Sequence, residues 1–163
     1  MKKSFLIAVL IMACIANAHA MKKTKKKATG NITFISMHRS ACFGRCPDYT
    51  IEVYNTGVVK YLGYMFVKDS GVYSKNIGQA KAMSILKQFE AYHVDTCQKN
   101  YVQRIADLPG LYYVIQYKSG KEQEINNAHF GPAFLAELAR EIDKELKVDA
   151  SWKKLANQAK RQQ

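Results

Sequence analysis

Proline is scarce in this 163-residue chain, at three residues, and glycine is modest at nine. That excludes a collagen-like or Pro/Gly-rich low-complexity chain, and a hydrophobic content of 48% excludes a wholly disordered one. Several catalytic signatures are also missing: no Walker-type phosphate loop, no GxSxG elbow, no HExxH pair and no EF-hand loop occurs. Acidic residues are few, 13 against 25 basic ones, for a formal net charge of +12. The length suits one domain, and composition by itself assigns no activity.

The basic excess sits at the ends. Between Asn31 and Leu146 there are 13 basic and 12 acidic residues, a net of +1. The rest comes from Lys2 and Lys3, from Lys22, Lys23, Lys25, Lys26 and Lys27, and from the carboxyl end through Lys147, Lys153, Lys154, Lys160 and Arg161, less Asp149. A near-neutral body with basic tails argues against a nucleic-acid-binding fold. The amino terminus reads as an export signal. Lys2 and Lys3 precede the uncharged run Phe5–Ala13, and Ala18-His19-Ala20 offers small residues where a signal peptidase cuts, which predicts cleavage after Ala20 and a periplasmic or secreted protein. The run is too short to span a bilayer, which takes about 20 apolar residues. The alternative is a lipoprotein anchored at Cys14, although Met12 fits a lipoprotein box poorly. The resulting organisation is a signal peptide at 1–20, a basic flexible tether at 21–30, a single domain at 31–146 and a basic helix or tail at 147–163. Five lysines within six residues repel one another, so the tether is solvated. The alternative reading is a basic arm that makes weak contact with an anionic membrane surface through Lys22, Lys23, Lys25, Lys26 and Lys27.

The body alternates between two periods. Asn31 to His38, Asp48 to Tyr54 and Val58 to Leu62 alternate and are rich in β-branched and aromatic residues, which predicts strands. Asn55-Thr56-Gly57 between the last two predicts a tight hairpin, with Gly57 free to take a positive φ. Met65 to Tyr73 is extended and interrupted at Asp69-Ser70-Gly71, as a bulge or a turn. From Gln79 to Tyr92 the period changes: Ala82, Ile85, Leu86 and Phe89 fall on one helical face. Leu111 to Lys118 and Lys121 to Asn126 flank Ser119-Gly120 as a second hairpin. After Gly131-Pro132, Leu135, Leu138, Ala139, Ile142 and Leu146 trace another helical stripe. Trp152, Leu155, Ala156 and Ala159 predict a short carboxyl-terminal helix. The fold class is α+β: a mainly antiparallel sheet of about five or six strands with two helices on one face, plus that short helix.

Three cysteines follow the signal: Cys42, Cys46 and Cys97. In an exported chain they pair where geometry allows. Cys42–Cys46 is the leading bridge, because Gly44 lets the backbone turn back and Pro47 stiffens the exit, and a bridge to Cys97 is the alternative. Disulfide oxidoreductases use two intervening residues and a helix start that lowers a thiol pKa. Here three residues intervene and a strand follows. A metal set of His38, Cys42, Cys46 and His129 has workable spacing in the wrong compartment for thiolates, so no metal or cofactor is assigned. A cysteine nucleophile needs a neighbouring base, and His38, His93 and His129 fit surface or core roles better.

Cys42-x-Gly44-x-Cys46-Pro47-x-Tyr49, followed by Gly57-x-Val59-x-Tyr61-x-Gly63 and Gly71, resembles an uncharacterised bacterial domain-of-unknown-function family found in exported proteins and lipoproteins of Bacteroidetes-type bacteria. Asp107-Leu108-Pro109 and Gly131-Pro132 fit the same pattern. The resemblance covers about residues 31–146 and leaves out Cys97 and the basic ends. It implies a compact exported α+β domain and supplies no activity. The expected function is a non-enzymatic binding module of the cell envelope. Its loop is held rigid by Cys42, Gly44, Cys46 and Pro47 and offers Arg39, Arg45, Asp48 and Tyr49 to an envelope protein or ligand. The alternative is an exported thiol-redox or other cysteine-dependent enzyme acting through Cys42 and Cys46.

Overall fold

The computed structural model describes residues 32–102 and 107–156. The expected signal peptide and basic tether, Cys14 and Ala159 lie outside the described residues. Seven strands form one sheet: β1 (Ile32–Arg39), β2 (Asp48–Tyr54), β3 (Val58–Met65), β4 (Gly71–Asn76), β5 (Leu111–Tyr117), β6 (Glu122–Ile125) and β7 (Lys153–Leu155). Helix α1 (Gln79–Ala91) follows β4, and α2 (Ala133–Glu145) follows β6. The order across the sheet is β6-β5-β1-β2-β3-β4-β7, antiparallel throughout.

Strand alternation sorts the side chains into two layers. Ile35 and Met37 of β1, Ile51 and Val53 of β2, Val59 and Tyr61 of β3, and Tyr113 and Ile115 of β5 are buried in one core. The same core takes Ala82, Ile85, Leu86 and Phe89 from α1 and Leu135, Leu138, Ala139 and Ile142 from α2. Tyr113 joins the layers: its ring meets Phe89 edge-on at 5.5 Å, and its hydroxyl donates to the Leu135 carbonyl at 2.7 Å. A register shift between Ile32 and Phe34 brings Ile32 onto the core side as well. Its amide donates to Glu90 of α1 at 2.6 Å.

The hairpin at Gly57 forms as expected, with φ at 97°. An added Cβ there would come within 2.7 Å of the Gln79 amide, so the residue also lets the start of α1 approach the hairpin. The sheet has seven strands and not the expected five or six, because the carboxyl end adds a strand to the β4 edge. The break within Met65 to Tyr73 is a turn and not a bulge: β3 ends at Met65, the chain reverses, and β4 begins at Gly71 and runs to Asn76. The carboxyl-terminal segment is not a helix over its described part. Lys153–Leu155 is extended and pairs with β4 through Val72↔Leu155. Trp152 is buried and donates to the Lys147 carbonyl at 3.2 Å. An open edge at β4 supplies backbone partners that a marginal three-residue stretch does not find as a helix.

Candidate functional site

Three connections meet at one end of the sheet. Residues 40–47 join β1 to β2, residues 66–70 join β3 to β4, and residues 107–110 lead into β5. In the first, Cys42 and Cys46 are bonded with their Cα atoms 5.4 Å apart, and the Gly44 amide donates to the Cys42 sulfur at 3.3 Å. Ser40 anchors this connection to the third: its amide donates to the Gly110 carbonyl at 3.1 Å, and the Gly110 amide donates to its hydroxyl at 2.9 Å. The second folds tightly over β3. Gly63 is required there, because a Cβ would lie 2.2 Å from the Asp69 carbonyl oxygen. Phe66 holds a φ of 53°, uncommon for a bulky residue.

Large apolar side chains crowd this end. Phe43 is 90% exposed, Phe66 53%, Tyr64 52% and Met65 50%, and Leu108 is exposed in the third connection. Isolated exposed apolar residues are ordinary; a group of them at one end of a sheet is a mark of an interaction surface.

Beneath the tip, on the helix side, lies a cavity of about 250 Å³. Tyr49, Ile51 and Tyr61 line it from the sheet, Phe66 and Lys68 from the β3–β4 turn, and Leu146 from the end of α2. Tyr49 and Tyr61 stack at 5.6 Å. Asp143 of α2 reaches one wall and organises it: the Arg39 Nε and Nη2 donate to its Oδ2 at 2.9 and 2.7 Å, and the Tyr49 hydroxyl donates to its Oδ1 at 2.6 Å. Burial works against the Arg39 cation, but the adjacent Asp143 carboxylate outweighs it and raises its pKa. Burial, reinforced by the Asp143 bond, holds the Tyr49 phenol neutral far above its ordinary range. Burial and the charge of Asp69 push Tyr61 up to about 12. The wall therefore presents neutral phenols, and its acid is already satisfied.

The opposite sheet face carries a second polar group. His38 Nε2 lies 3.0 Å from Asp48 Oδ1, and the imidazole stacks on Tyr112 at 5.7 Å and meets Tyr64 edge-on at 6.1 Å. His129 sits on the helix side, where both ring nitrogens are buried without a hydrogen-bond partner. Burial, followed by the Arg39 charge, lowers its pKa.

The structure thus divides the predicted site residues. Cys42 and Cys46 are joined, and Cys97 is free, half-buried, with burial pushing its thiol up. Arg39 and Tyr49 come together on Asp143 at the pocket wall, Asp48 turns to the other face, and Arg45 is exposed in the loop. The ligand set His38, Cys42, Cys46 and His129 is not assembled, since the sulfurs bond each other and the two imidazoles lie on opposite sides of the sheet. Among the described residues no group of three or more His, Cys, Asp or Glu side chains is placed to hold a metal ion, and no helix is long and apolar enough to cross a membrane. Asp143 and the Tyr64–Phe66 surface escaped sequence reasoning. Asp143 sits beside Ile142 in an ordinary amphipathic pattern, and Met65 and Phe66 read as strand residues.

The family described as Domain of unknown function (DUF6438) matches residues 33–146. The chain belongs to that family. The match runs from β1 to the end of α2, so it takes in the disulfide loop, the β3–β4 turn and Asp143. Strand β7 lies beyond it. No curated protein and no solved structure matches the chain.

Proposed function

We propose that this is an exported cell-envelope protein acting as a non-enzymatic binding module, and that it binds through the end of the sheet closed by the Cys42–Cys46 disulfide. The observation that carries the reading is the exposure of Phe43 in the β1–β2 connection, of Tyr64 and Met65 at the end of β3 and of Phe66 in the β3–β4 connection, at the end of the sheet where Pro47 and Phe66 line one cavity. A bridged loop suits an oxidising compartment, which supports export after cleavage at Ala20. It also holds Phe43 in place before a partner arrives, so less freedom is lost on binding. Arg39 and Tyr49 act in this reading as braces of the wall through Asp143, while Arg45 is the charged group offered outward. The thiol-redox alternative has less behind it: β2 rather than a helix follows Pro47, so no helix start lowers a thiol pKa, and His38 is engaged by Asp48.

Photo-crosslinking in producing cells tests the proposal. A photoreactive residue at position 43 or 66 is expected to yield a defined adduct, with protein or with lipid. The same residue at Lys118, exposed in the turn at the far end of β5, is expected to yield none. Equal labelling from all three positions, or none from 43 and 66, overturns it. Serine at both cysteines separates the alternative: loss of stability without loss of a thiol-dependent reaction favours the scaffold role.

A further inference from the structure

Two stretches at the disulfide end share a spacing. Phe43-Gly44-Arg45 and Phe66-Val67-Lys68 each place an aromatic ring two residues before a cation, one on each connection. All four of these outer residues are exposed. Neither Arg45 nor Lys68 enters an ion pair among the described residues. The connection from Ser40 to Pro47 contains no acidic residue. Asp69, the acid of the other turn, is half-buried, and its charge bears on Tyr61 beneath, while Asp107 is exposed in the third connection.

Phe43, Tyr64 and Met65 line no part of the cavity, and Phe66 stands at its rim. A protein partner would need a matching groove for each protruding side chain. A bilayer interface needs none: rings and thioethers enter the acyl boundary while Arg and Lys reach the phosphates at head-group level. The absence of acid from the leading loop removes the charge that anionic head groups would repel. From this geometry we infer that the disulfide end docks on an anionic lipid surface. Phe43, Met65 and Phe66 form the apolar wedge, and Arg45 and Lys68 its cationic collar. The inference rests on reading this end as the binding end, and the contact is separate from the lysines at 22–27.

The test uses the exported chain with vesicles of phosphatidylcholine containing about one-third phosphatidylglycerol, a composition that sets a negative surface potential. Phe43→Trp places a fluorophore at the tip, while the native Trp152 is buried and serves as background. Brominated acyl chains are expected to quench the new tryptophan and leave the wild-type emission unchanged. Phe43→Ser with Phe66→Asn, the latter compatible with a positive φ, is expected to weaken vesicle binding by about tenfold or more. Arg45→Glu with Lys68→Glu is expected to abolish the preference for phosphatidylglycerol. Glutamine at Lys22, Lys23, Lys25, Lys26 and Lys27 separates the tether. Binding that disappears in that variant yet survives both tip variants overturns the inference, and so does an unquenched tip fluorophore in the Phe43→Trp chain or no binding to any vesicle. A protein adduct from position 43 in cells, together with failure on vesicles, would leave the binding end standing and remove only its lipid partner.

Discussion

Asp143 is the most informative residue to perturb, because one carboxylate from α2 serves two strands. Its bonds to Arg39 and Tyr49 lie in a partly buried site, where the side chains of the ion pair are each 29% exposed. A hydrogen bond to a charged group contributes roughly 1.5–3 kcal/mol net, less where solvent screens it. Tyr49→Phe removes only the 2.6 Å bond and is expected to cost about 1–1.5 kcal/mol. Asp143→Ala removes both partners' bonds and leaves the Arg39 cation without its counter-charge, for about 3 kcal/mol. In an Asp143→Ala background the Tyr49 hydroxyl has nothing left to lose, so the double variant should fall only about 3 kcal/mol, a coupling of about 1–1.5 kcal/mol. Urea unfolding of the oxidised chain reads these values directly. Thermal midpoints should follow at about 3–6 °C per kcal/mol for a domain of this size. If the two costs add to within about 0.5 kcal/mol, the shared-carboxylate reasoning is wrong.

Three other perturbations test separate parts of the structure. Reducing the bridge or writing serine at Cys42 and Cys46 releases a loop with a sequence separation of 4, which by loop-closure entropy should cost about 2 kcal/mol; an unchanged urea midpoint would show that the bridge constrains nothing. Gly63→Ala drives a Cβ into the Asp69 carbonyl, so a loss of about 2–3 kcal/mol with amide shifts over Val67 to Ser70 is expected, and a neutral result would contradict the tight turn. Burial depresses the folded-state pKa of His129 below 6.5, so the unfolded chain takes up its proton first. Its contribution to stability is therefore complete above about pH 6.5 and is lost as pH falls toward the folded value. The urea midpoint should drop between neutral and mildly acid pH, and His129→Asn should flatten that drop; an unaltered slope would remove His129 as its source.

Local order was legible where one period held for a whole element. Ala82, Ile85, Leu86 and Phe89, and Leu135, Leu138, Ala139 and Ile142, had stripes that only a helix can bury on one side. The β2–β3 hairpin was equally readable from Gly57 and the alternation around it. Short segments were not. Lys153–Leu155 carries a pattern consistent with a helical turn, and the free edge of β4 decides that it is a strand. The seventh strand is not legible in the sequence for the same reason.

The candidate site divides along the same line. The pairing of Cys42 with Cys46 is a local event, a short loop closing on itself around a glycine, so spacing was enough to favour it. In sequence Arg39 and Tyr49 read as loop groups, but strand register turns them to the helix layer, where Asp143 arrives from 94 positions beyond Tyr49. Alternation also sends Asp48 to the opposite face, beside His38, although it precedes Tyr49 directly. The sequence by itself determined the charge distribution, the periodicities and the small bridged loop, since each depends on neighbours within a few residues. Only the tertiary structure decided which side chains share the pocket wall, where the apolar tip stands and which edge the carboxyl end joins. Those outcomes depend on sheet order, register and helix packing, through which distant residues become neighbours.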